Sequence, residues 1–87
     1  MDIKAKVLHV MQARAALEEK TLGARYPFRM ATWNLRLAME KAYPDDIWTS
    51  DELRKVLIDM VRDGDVTKDI HYSRIGQAVW KLEKRDA

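Results

Sequence analysis

The strongest constraint on this chain is local. Thr49-Ser50-Asp51-Glu52 is a capping box, in which Thr49 caps a helix and Glu52 reaches back to the cap. Trp48 and Leu53 stand where a hydrophobic staple would close the same helix end. Leu53, Val56, Leu57, Met60 and Val61 then follow the i, i+3, i+4, i+7, i+8 pattern of a helix with one buried face. Gly64 offers the stop, since glycine takes the positive φ a helix C-terminus favours. A chain holding this segment must bury its apolar stripe against other elements.

The other elements are read from periodicity and breakers. Residues 3–22 predict a long N-terminal helix: Ile3, Val7, Val10, Met11 and Leu17 recur at helical spacing and Gly23 ends the run. Residues 28–42 predict a second helix, apolar over a wide arc through Met30, Trp33, Leu35 and Leu37, and stopped by Pro44. Residues 65–71 form a connector, either a loop or a short extended segment. A fourth helix is expected from Tyr72 or Ser73 to about residue 85, with Ile75, Ala78, Val79 and Leu82 inside. Gly76 counts against it by about 1 kcal/mol relative to Ala. Trp80 falls beside the inner row, suited to packing on the first helix or to an interface. The expected fold is therefore all-α: four helices in one domain spanning 1–87, with room for one very short strand pair near Ile47-Trp48.

Size and composition exclude much. The 87 residues suit one small domain, which buries roughly 60 to 65% of its unfolded surface. A core that modest leaves little room for a substrate cavity, so no enzyme is expected. With no cysteine there is no disulfide framework, thiolate metal site or thiol nucleophile. No apolar run approaches the ~18 residues of a membrane span, and charges interrupt any signal-peptide core at the N-terminus, so the expected compartment is cytoplasmic. Asp59, Asp63, Asp65 and Asp69 miss the alternate spacing and closing Glu of a calcium-binding loop. They read as solvated caps and turns. His9 and His71 have no acid-and-nucleophile constellation beside them, and Ser50 and Ser73 read as helix-start residues. No metal or cofactor is expected.

The net charge of +2 conceals a segregation. Residues 20–41 carry Lys20, Arg25, Arg29, Arg36 and Lys41 against Glu40; residues 45–69 carry eight acids against Arg54, Lys55, Arg62 and Lys68. Residues 71–85 are basic again. On a helix there, Arg74, Gln77, Lys81 and Lys84 make one outward stripe, with Arg85 beside it and Tyr72 and Ser73 at its N-terminal end. Arg and Gln hydrogen-bond base edges; Lys, Ser and Tyr hold phosphates. The same stripe also describes an ordinary solvated face.

Thr49-Ser50-Asp51-Glu52-Leu53 and Arg74-Ile75-Gly76-Gln77-Ala78-Val79-Trp80-Lys81-Leu82, taken as the second and third core helices, resemble the tri-helical core of helix-turn-helix domains. Residues 28–85, about two thirds of the chain, look like a winged-helix domain without its terminal wing. The connector is longer than the turn of a simple helix-turn-helix and carries Asp65 and Asp69, which would repel DNA. The resemblance implies a small regulator of the phage or mobile-element type that binds double-stranded DNA. Its last helix would lie in the major groove, Arg74 and Gln77 reading bases. Lys81, Lys84, Arg85, Tyr72 and Ser73 would hold phosphates, and Arg29 and Arg36 would add backbone contacts. A homodimer on paired half-sites, joined through the N-terminal helix, follows from the domain's size. The rival reading is an adaptor or inhibitor docking on a larger protein, its segregated charge matching charges on the partner and the aromatic and Met residues of the first two helices serving as anchors.

Overall fold

In the computed structural model, which describes residues 2–22, 28–70, 73 and 77–83, the capping box forms as its spacing predicts. Thr49 is extended, and its hydroxyl accepts from the Glu52 N–H at 3.2 Å. The helix runs Ser50–Asp63, and Gly64 turns left-handed at φ 82, ψ 13. The Gly64 N–H bonds to the Val61 carbonyl at 3.1 Å and the Asp65 N–H to that of Met60 at 2.9 Å. Those two bonds are a Schellman stop, a conformation that a residue with a Cβ adopts only at a cost.

The elements in chain order are α1 (Ile3–Leu22), β1 (Arg29–Ala31), α2 (Thr32–Ala42), α3 (Ser50–Asp63), β2 (Val66–Lys68) and β3 (Val79–Leu82). The three strands form one antiparallel sheet in the order β1-β3-β2. The protein is thus α+β, and the all-α expectation is wrong. The fourth helix is the main error: residues 79–82 are the central strand of the sheet, pairing Met30 with Trp80 on one side and Lys68 with Trp80 on the other. A short apolar run such as Val79-Trp80-Lys81-Leu82 fits both periods, and its β-branched and aromatic residues suit a strand. The connector is extended where it forms β2. The expected second helix begins too early: within its first four residues Arg29–Ala31 are β1, the edge that β3 pairs with. Ile47-Trp48 are not a strand; they are the approach to α3.

Long-range bonds explain where α2 begins. Its N-cap, Ala31, has no side chain to satisfy the first turn. The β3 entry does so instead: the Thr32 N–H bonds to the Ala78 carbonyl at 3.1 Å. The Thr32 hydroxyl accepts the Trp80 indole N–H at 2.8 Å. Trp80, only 3% exposed, therefore belongs to the core.

The core joins all layers. Val7, Val10 and Met11 of α1, Leu35 and Met39 of α2, and Leu53, Leu57 and Met60 of α3 meet Met30, Trp48, Val66 and Trp80. Beyond Met11 no described residue of α1 is buried, so the second half of that helix lies outside the core. The loop between α2 and α3 is anchored by the Trp48 indole N–H, which donates to the Tyr43 carbonyl at 3.1 Å, and by Lys6, whose ammonium lies 5.0 Å from the Tyr43 ring centre. No helix among the described residues is long and apolar enough to cross a membrane.

The order is helix, strand, two helices and a β-hairpin, with α2 and α3 joined by residues 43–49. The expected tri-helical core does not form, because residues 79–82 of its third helix are the strand β3.

Candidate nucleic-acid interface

The capped helix α3 is two-sided in charge. At 3.6 residues per turn, Leu53, Leu57 and Met60 point into the core and divide the exposed surface into two flanks. Glu52, Asp59 and Asp63 occupy one flank, against α1. Lys4 bonds to Asp63 there at 2.9 Å. That hydrogen bond, with the nearby charges of Asp63, Asp59 and Asp2, holds the Lys4 ammonium above its usual pKa. Glu52 faces a small hollow shared with Ile3, Lys6 and Asp46, where Lys6 pairs with Asp46 at 3.0 Å.

The other flank is basic and apolar. Arg54, Ile58, Val61 and Arg62 face the β2–β3 hairpin, which contributes Lys68, Gln77, Ala78 and an edge of Trp80. Together they line an open cleft of about 510 Å³. Three of these eight residues are cations and none is Asp or Glu. Among the described residues, no ion pair engages Lys55, Arg62 or Lys68, while Arg54 lies 3.4 Å from Asp51. The acidic total of residues 45–69 thus hides a basic face. Of the acids that the linear count placed there, Asp46, Glu52, Asp59 and Asp63 lie toward α1, Asp69 is buried in the hairpin, and Asp51 sits at the cleft's edge beside Arg54.

Asp69 shows the second case. It is 4% exposed and accepts a hydrogen bond from Arg29 Nε of β1. Its N–H bonds to the Val79 carbonyl at 2.8 Å, and its own carbonyl accepts the Ser73 N–H at 3.0 Å. The Ser73 hydroxyl in turn accepts the Val79 N–H at 3.0 Å. Asp69 organises the hairpin and presents no exposed charge to a ligand.

Of the residues expected to bind DNA, the described ones (Arg29, Arg36, Ser73, Gln77 and Lys81) do not share one helical stripe. Tyr72, Arg74, Lys84 and Arg85 lie outside the described residues. Gln77 lines the cleft. Lys81 is on β3, opposite Arg29 and Thr67 in register, which places it on the sheet face away from Trp80. Arg29 is tied to Asp69, Ser73 is used within the hairpin, and Arg36 lies 3.7 Å from Glu40 on α2. Arg54, Ile58, Arg62 and Lys68 went unnoticed as a group. Their signal was available: Arg54, Ile58 and Arg62 recur every four residues, which on a helix is a row.

Among the described residues no group of three or more His, Asp or Glu is placed to hold a metal ion. Compared with protein families, curated proteins and solved structures, the chain matches none significantly.

Proposed function

We propose that this protein binds double-stranded DNA, with α3 in the major groove and the β2–β3 hairpin against the adjoining backbone. The observation that carries the proposal is the division of α3 into an acidic flank paired with α1 and a basic flank beside the hairpin. A helix of 14 residues is about 21 Å long, and the major groove admits one. Lys55, Arg62 and Lys68 hold phosphates in this reading, and Arg54 and Gln77 reach toward base edges. A protein that occupies a duplex site this way serves as a regulator of transcription or of a mobile element, in the cytoplasm. Two copies on paired half-sites would double its few contacts, and the outer half of α1 would join them.

The test is fluorescence anisotropy with a labelled mixed-sequence duplex of 24 base pairs at 50 mM salt. The triple variant Arg54→Ala, Arg62→Ala, Lys68→Ala is expected to bind at least ten-fold more weakly with an unchanged melting curve. No binding by the unmodified protein at tens of micromolar, or equal binding by the triple variant, would overturn the proposal.

One observation favours protein docking instead. Trp33 and Leu37, one turn apart on α2, are each 49% exposed. If docking is the role, Trp33→Ala abolishes stoichiometric recovery of a partner from nuclease-treated lysate, and the triple variant does not.

A further inference from the structure

Arg54, Ile58 and Arg62 form a row along α3, each one turn from the next and about 6 Å further along the axis. Leu53, Leu57 and Met60 are fully buried and meet the core's demand on this helix. Ile58, 48% exposed, is left outside it, and Val61, 39% exposed, stands beside it in the same cleft. A helix face that needed only to attract phosphate would gain nothing from an exposed isoleucine between two arginines.

Major-groove chemistry gives such a row a counterpart. Guanine presents O6 and N7 to a bidentate arginine, and thymine presents a 5-methyl group to an apolar side chain. Successive base pairs rise about 3.4 Å, so one turn of α3 spans roughly two base pairs. The charge of the cleft suits the same occupant, since its lining carries three cations and no carboxylate.

We propose that Ile58, supported by Val61, reads a thymine methyl group, with Arg54 on a guanine about two base pairs to one side and Arg62 on the phosphate backbone at the other. This inference rests on duplex binding by α3. It adds that the protein is sequence-selective and that the selectivity lies in an apolar contact.

The probe is the best-bound duplex recovered by selection from randomised 20-base-pair DNA, resynthesised with deoxyuridine at every thymidine. Deoxyuridine lacks only the methyl group. The unmodified protein is expected to bind the thymidine duplex about four-fold more tightly for each methyl contacted. Ile58→Ala is expected to bind both duplexes alike, with an unchanged melting curve because the side chain is half exposed. Equal affinity of the unmodified protein for the two duplexes overturns the thymine contact and leaves duplex binding intact. Undiminished discrimination by Ile58→Ala overturns the role of Ile58. Absence of any selected duplex overturns the DNA reading itself.

Discussion

Removing the carboxylate of Asp69 should destabilise the whole domain, although it is one side chain in a hairpin. Asp69 is 4% exposed and its partner Arg29 is 31% exposed at the side chain. Breaking a buried ion pair by deleting one member costs about 3–5 kcal/mol. Water reaches the remaining guanidinium here and screens part of that loss, so Asp69→Ala is expected to cost about 2–3 kcal/mol. In a domain of this size that lowers Tm by roughly 10–20 °C. The effect is large because the pair links β1 to the hairpin across 40 positions of sequence. Urea unfolding followed by circular dichroism gives the stability. Asp69→Ala, Arg29→Met and the double variant form a cycle that isolates the pair, with an expected coupling of at least about 1 kcal/mol. A loss below about 0.5 kcal/mol, or no coupling, would refute the view that this pair fastens the hairpin to the sheet.

Two further outcomes follow from the charges of α3 and α1. Asp51 is the carboxylate that pairs with Arg54 at the edge of the cleft, so Asp51→Asn should tighten duplex binding several-fold at 50 mM salt while leaving the melting curve within a few degrees; anisotropy titration checks it. The Lys4–Asp63 contact raises the Lys4 pKa from 10.5. Its stabilising effect is therefore complete below the unfolded value and fades as pH rises through the higher folded value, so melting curves of Lys4→Met and the unmodified protein should differ at pH 8 and converge in the most alkaline buffers.

What could be read from the sequence was what is decided within one turn of chain. Thr49 accepts from Glu52 three residues away, and Gly64 stops the helix it follows, so both ends of α3 were legible. The sheet was not. Its strands are three or four residues long, and their partners lie 12 to 52 positions apart, as in Lys68 with Trp80 and Arg29 with Lys81. Nothing near Arg29–Ala31 announces that β3 will bond there. Thr32 starts α2 because Ala78 and Trp80 satisfy it, again from far along the chain. Gly76 was a warning against a helix that the 3.6-residue pattern outweighed. The candidate interface was partly legible. The residues were counted as one acidic block, although helical spacing alone separates Arg54, Ile58 and Arg62 from Glu52, Asp59 and Asp63. The burial of Asp69 was not legible, because its partner comes from β1.

The most direct measurement is the salt dependence of duplex affinity. Each phosphate neutralised on B-DNA contributes about −0.9 to the slope of log K against log salt. With Lys55, Arg62 and Lys68 on phosphates, the slope between 50 and 200 mM salt should be about −3, and Lys68→Ala should bring it to about −2. A slope near zero, or one that Lys68→Ala and Arg62→Ala both leave unchanged, would contradict the assignment of the α3 and hairpin face to DNA.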